Sequence, residues 1–153
     1  MLLWRISNHV SLDGRGGLVA SARWHSQGRP IVYLAATPAG ALVEALVNLE
    51  LDPAAMPASY TLLKIEAPDD ISIARIAADS LPENWQQDLV WSRSRGDEWL
   101  AAGQQALLEV PSAILPDTCN LLLNPLHPDA QRLRILAHQS YAYDRRLFKP
   151  RGR

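Results

Sequence analysis

The sequence predicts an α+β fold, a single compact domain of strands and helices. Three observations carry this. Short runs rich in β-branched and large apolar residues recur along the chain, bounded by Pro, Gly, Asp and Asn. Clear helix starts stand at Thr37-Pro38 and at Asp97. At 153 residues the chain is one domain, long enough for a real core.

Leu2 to Ile6 is the first strand and carries Arg5, read from its surroundings alone as a surface charge on an edge strand. Gly14, Gly16 and Gly17 around Arg15 form a turn; GRGG lacks the strand-then-helix context of a phosphate cradle. Leu18 to Ala22 is expected to extend and deliver Arg23 and Trp24. Gly28-Arg29-Pro30 turns the chain into Ile31 to Ala36, a buried strand on which Tyr33 shares a face with Ile31 and Ala35, while Val32 and Leu34 point the other way.

The next element begins with Thr37 as N-cap and Pro38 at the first helical position. Ala41, Leu42, Ala45, Leu46 and Leu49 fall on one face, and Val43 with Val47 covers most of the other. Only Glu44 and Asn48 interrupt this, one above the other at i, i+4. A helix apolar on both sides is expected to be buried, which would hold Glu44 in a partly dry place. Burying an unpartnered carboxylate is costly, so Glu44 is either a functional group or the structural partner of an arginine.

Leu51 to Ser59 reads as a connection, Tyr60 to Ala67 as a strand and Ile71 to Ile76 as a short one. After the break at Ser80 to Pro82, Asn84-Trp85 enters a weak helix, and Ser92 to Arg95 is a polar, basic turn in solvent. The helix from Asp97 buries Trp99 and Leu100 and closes near Gly103. Leu107 to Val110 and Asn120 to Leu123 are core strands, with Ser112 between them. Asn124 to Asp129 is a rigid turn into a short helix, Leu133 to Tyr141 a closing strand, and Arg145 to Arg153 a basic, solvated tail.

A formal net charge of −1 gives no bulk attraction to nucleic acid. The lone Cys119 excludes an internal disulfide and suits a reducing cytosol. MLLWRISNHV is too soon broken by Arg5 for a signal peptide, and no apolar run approaches the ~20 residues of a membrane span, so a cytoplasmic protein is expected. His9, His25, His127 and His138 show no ligand spacing, so no metal is expected.

Arg23-Trp24, a following glycine, Val32-Tyr33-Leu34, a small-residue helix start and Glu44 together resemble the RES domain, the toxin half of RES-Xre toxin-antitoxin pairs. The resemblance continues in order through Arg5 near the start, Trp99-Leu100, Val110-Pro111-Ser112, Asn120, Asn124-Pro125, His127-Pro128 and the residues around Phe148, and so spans nearly the whole chain. It departs at His25, where a small polar residue such as Asn is expected, and in the more basic tail.

The resemblance implies an ADP-ribosyltransferase-like fold, with a mixed, mainly antiparallel sheet and helices, and a toxin that cleaves the nicotinamide-ribose bond of NAD+, with NAD+ as substrate and no cofactor. Hydrolysis and phosphorolysis both fit; the alternatives are ADP-ribose transfer to a protein, or a non-catalytic binding module in which Arg23 and Glu44 form a buried ion pair. Cleavage develops oxocarbenium character on the ribose, which a carboxylate stabilises; this is the role implied for Glu44. Arg23 and Arg5 suit a pyrophosphate, and Tyr33 offers an aromatic face to the pyridinium ring. Arg23, Tyr33 and Glu44 are thus the expected catalytic set, with Arg5, Trp24, Ser112 and Asn124 binding substrate. Ser112 enters as a hydrogen-bonder, because no His-Asp arrangement is evident to activate it. The implied partner is an Xre-like helix-turn-helix antitoxin that blocks the cleft within a hetero-oligomer and carries the DNA binding itself.

Overall fold

The strand-like runs pair into one sheet. In this computed structural model, residues 1–49 and 57–148 are described. The strands are β1 (Leu2–Ile6), β2 (Val32–Ala35), β3 (Ser59–Glu66), β4 (Ile73–Arg75), β5 (Leu107–Pro111), β6 (Cys119–Leu123) and β7 (Arg134–Ala142). They form a seven-stranded sheet in the order β4-β5-β6-β2-β1-β3-β7. Only β4 and β5 pair parallel; every other neighbouring pair is antiparallel. The sheet is therefore mixed and mainly antiparallel, as expected.

Alternation along the strands divides the core between the two faces. Val32 and Leu34 pack on one face with Leu3, Leu63, Ile65, Leu107, Leu121 and Leu123. Ile31 packs on the other with Trp24, Trp85, Trp99, Leu108, Val110 and Leu122, and Tyr33 lies against this second cluster. Leu3, Leu63, Leu107, Leu122 and Leu123 are fully buried, each contributing roughly 1.5–3 kcal/mol of transfer free energy.

The helices are α1 (Gly16–Val19), α2 (Pro38–Asn48) and α3 (Leu89–Ala102). Thr37 caps α2 as expected, its Oγ1 accepting from Gly40 N at 3.0 Å. The expected burial of α2 on both sides does not hold: of its residues only Gly40 and Ala41 are buried, and Val47 is 59% exposed. The helix crosses one end of β1 and β2 as a wall instead of entering the core, so its apolar residues are mostly half-covered.

Three further expectations are corrected. Leu18 to Ala22 is not a strand: Gly14, at φ 70°, starts a turn in which Gly17 N and Ile31 N both donate to its carbonyl, and α1 follows directly. Ser92 to Arg95 is not a solvent turn but the middle of α3, which starts at Leu89 with Asp88 as N-cap, Trp91 N donating to Asp88 Oδ1 at 2.9 Å. Its inward face is Ser92, Gly96 and Trp99, a face too polar to read as apolar periodicity. Gly103, at φ 60°, ends it where expected. Asn84-Trp85 lies in turns, with Trp85 in the core. Most of the connection around Asp52 and Pro53, and residues 149–153 of the basic tail, lie outside the described residues.

Candidate active site

At the α2 end of the sheet lies a cavity of about 690 Å³, within the roughly 300–1,000 Å³ typical of small-molecule sites. Strands β1, β2, β3 and β6, helix α2 and the Ser21–Trp24 loop supply its walls, and Arg5, Arg23, Tyr33, Glu44, Arg93 and Asn120 all line it. The three expected catalytic residues therefore converge on one cavity.

Glu44 is held by two neutral donors. Ser112 Oγ donates to its Oε1 at 2.9 Å and Asn120 Nδ2 donates to the same oxygen at 2.7 Å. Both bonds load one oxygen, so the carboxylate is oriented while its charge is not cancelled by a cation. Asn120 faces Ala35 across the β2–β6 register, which puts it on the Tyr33 side of the sheet. No ion pair joins Arg23 to Glu44 among the described residues: the Arg23 guanidinium donates through Nη1 to the Gln86 carbonyl at 2.8 Å and lies 5.9 Å over the Trp85 ring. This removes the structural ion-pair reading of Glu44.

Tyr33 is set by a chain of hydrogen bonds that can be oriented throughout. His25 Nε2 lies 2.8 Å from the Ala20 carbonyl, which only accepts, so this nitrogen carries the proton of the neutral ring. His25 Nδ1 then accepts from the Tyr33 hydroxyl at 2.9 Å, and that hydroxyl in turn accepts from Trp24 N at 3.1 Å. Burial holds the Tyr33 phenol far above the ordinary tyrosine range, so it stays protonated and neutral.

Burial likewise pushes the His25 imidazole below the ordinary value of 6.5, with the Ala20 carbonyl and Asp97 opposing. Below about pH 6.5 the unfolded chain takes up a proton that the folded ring resists, so stability falls as pH drops. His25→Asn, which has no proton to gain there, is expected to lose less melting temperature between about pH 7.5 and about pH 5.5. Equal losses in the two proteins would contradict this account.

The loop carrying Arg23 is fastened carbonyl by carbonyl to α3. Arg93 Nε donates to Ala22 O at 2.8 Å and Ser92 Oγ to Arg23 O at 2.7 Å. Gly96 lies directly against Trp24 O. Asp97 accepts from Ser26 N at 3.0 Å and from Ser26 Oγ at 2.6 Å. Ala22 and His25 are bridged, so Arg23 and Trp24 form the tip of a tight turn.

The expected substrate binders divide. Arg5 lines the cavity, but its Nη1 donates to the Ser11 carbonyl at 2.9 Å and so also ties down the loop after β1. Trp24 borders the cavity, yet its side chain is core: it is 2% exposed, with Trp85 and Trp91 at 5.7 Å and 6.0 Å between ring centroids. Ser112 does not line the cavity; it donates to Glu44 and accepts from Ile114 N and Leu115 N, making it a positioning residue. Asn124 is placed elsewhere, in the turn after β6, where its Oδ1 accepts from Leu126 N at 3.0 Å and it borders a separate, smaller cavity. The amide at the carboxylate is Asn120, four positions earlier.

Arg93, His25 and Asn120 were not expected as site residues. Asn120 stood among the family matches, whereas no local pattern marks a helical arginine that points back at a loop. His127 Nδ1 accepts from Asp129 N at 3.1 Å and caps a short helical turn. Among the described residues no group of three or more His, Cys, Asp or Glu is arranged to hold a metal ion, and no helix is long and apolar enough to cross a membrane.

Fold and site together define an α+β domain with a cleft that holds a carboxylate and is bordered by arginines. Comparison with known proteins narrows this. The RES domain family model matches residues 2–144. A Pseudomonas putida protein named Toxin Res is 46% identical over 148 residues, covering 97% of this chain and 100% of its own length. A Sphingobium protein named Prs ADP-ribosylating toxin is 34% identical, covering 95% of this chain and 96% of its own. The crystal structure of the M. tuberculosis MbcT-MbcA toxin-antitoxin complex contains a chain of the same fold, at a TM-score of 0.74 and 16% identity, covering 92% of this chain and 84% of that one. The chain belongs to the RES domain family and is a toxin of that family.

Proposed function

We propose that this toxin cleaves the nicotinamide-ribose bond of NAD+ in the cytoplasm, depleting the dinucleotide and arresting growth, and that an antitoxin covering the cleft restrains it. The observation that carries this reading is the Glu44 carboxylate, fixed by Ser112 and Asn120 in a cavity that Arg23, Arg93 and Tyr33 also line. As the bond from C1′ to the nicotinamide nitrogen breaks, its electron pair leaves with the ring and the ribose becomes cationic. A preorganised carboxylate stabilises that charge, while the arginines hold the pyrophosphate and Tyr33 flanks the ring. Water or phosphate then adds at C1′ and loses its proton. The fold shared with a chain of a toxin-antitoxin complex supports the partner, for which an Xre-like helix-turn-helix protein is the proposed form.

The test is free nicotinamide from purified protein incubated with NAD+, with and without phosphate. Release is expected, and acceleration by phosphate would identify the acceptor. No turnover and no NAD+ binding would overturn the reading. The name of the Sphingobium relative favours a second acceptor, a protein side chain; it predicts ADP-ribose bound to protein instead of released.

A further inference from the structure

Away from Glu44 the cavity ends in a different chemistry. Ser59 and Tyr60, where β3 begins, and Tyr143, just after β7, line it there. The rings of Tyr60 and Tyr143 are 4.7 Å apart between centroids and tilted by 46°. Phe148 stands edge-on to Tyr143 at 5.5 Å and 73°, and Tyr141 lies 5.9 Å from Tyr60. The pairing of Ser59 with Ala142 and Tyr60 with Tyr141, together with Tyr143 N donating to Ala58 O at 3.2 Å, fixes the group to the strand ends. None of these four aromatics belongs to either hydrophobic core cluster. They form a partly open aromatic group, of which Tyr60 and Tyr143 line the cavity.

The order of chemistry across the sheet matters. Asn120 on β6 and Glu44 mark one end, Tyr33 on β2 comes next, Trp4 on β1 follows, and Tyr60 on β3 with Tyr143 beyond β7 marks the other. From β6 to β3 is three strand spacings, about 14 Å, a span for an extended dinucleotide and too long for a mononucleotide. A carboxylate at one end, paired aromatic rings at the other and Arg23 and Arg93 in the lining are the partners that a cationic ribosyl-pyridinium, a purine and a pyrophosphate require.

Resting on the function proposed above, we infer that Tyr60 and Tyr143 form the nucleobase subsite, stacking on the adenine of the dinucleotide whose nicotinamide end lies at Glu44. The subsite makes the protein select a dinucleotide over the corresponding mononucleotide. The test compares nicotinamide release from NAD+ and from nicotinamide mononucleotide, which has no adenosine, in the parent protein and in Tyr143→Ala, Tyr60→Ala and Tyr143→Phe.

Loss of one stacking ring is expected to lower the ratio of kcat/KM for NAD+ over the mononucleotide by about tenfold, chiefly through KM. Tyr143→Phe, which keeps the ring, should restore most of the ratio. A substitution that merely loosens the fold lowers both activities and leaves the ratio alone; an unchanged ratio overturns the subsite. Titration with AMP, followed by NMR, reads the subsite without turnover: weaker AMP binding in Tyr143→Ala supports it and unaltered binding overturns it. Absence of nicotinamide release from NAD+ by the parent protein overturns the functional reading instead, so the two failures are distinguishable.

Discussion

Glu44→Gln is expected to cut nicotinamide release by about a thousandfold while shifting the melting temperature by no more than about 2 °C. The substitution is nearly isosteric. The glutamine carbonyl oxygen still accepts from Ser112 Oγ and Asn120 Nδ2, the two bonds that now fall on Oε1. What disappears is the negative charge facing the ribose. Glu44→Ala is a poorer probe, because it strands two donors and costs about 1–3 kcal/mol by itself. Turnover and thermal melting, measured on the same preparation, check the prediction. Wild-type turnover in the glutamine variant would remove the carboxylate from the chemistry.

Gly96→Ala is expected to damage the protein as a whole. A Cβ at this position would stand 1.6 Å from Trp24 O and 2.7 Å from Trp24 C. The clash is with backbone, which no rotamer change relieves, so α3 and the Arg23-Trp24 turn must move apart. Moving them breaks the bonds from Ser92 to Arg23 O and from Arg93 to Ala22 O, which depend on the same close approach. Overpacking of this kind costs about 3 kcal/mol or more, a fall of about 10 °C for a chain of this size. Activity well below the melting transition should fall too, because the displaced turn carries Arg23. A variant melting within about 2 °C of the parent would show that the approach of α3 to this turn is not what holds it.

The helix-loop contact also shows where sequence reading stops. Gly96 and Ser92 look like ordinary surface residues in SRSRGDE, and α3 has no apolar stripe to mark its first half. There the inward residues, Ser92 and Gly96, are small because they lie against the backbone of Arg23 and Trp24. The same blindness hid Arg93 and made Asn124 the expected site asparagine, as a substrate binder, where the structure brings Asn120 to Glu44. Both asparagines follow from the chain as polar residues at or after a strand; only the register, with Asn120 opposite Ala35, selects the one that faces Glu44.

By itself the sequence determined most of the strands, the capped start of α2 and the family to which the chain belongs, and it singled out Arg23, Tyr33 and Glu44 as one group, because alternation, capping and motif spacing are local properties. Tertiary structure alone decided what each of those groups is bonded to. Glu44 is oriented by Ser112 and Asn120 from 68 and 76 positions away, and Tyr33 is locked by the turn that α3 holds. A carboxylate's charge, a phenol's proton and an arginine's reach depend on neighbours brought together by sheet pairing, and such neighbours leave no periodic trace along the chain.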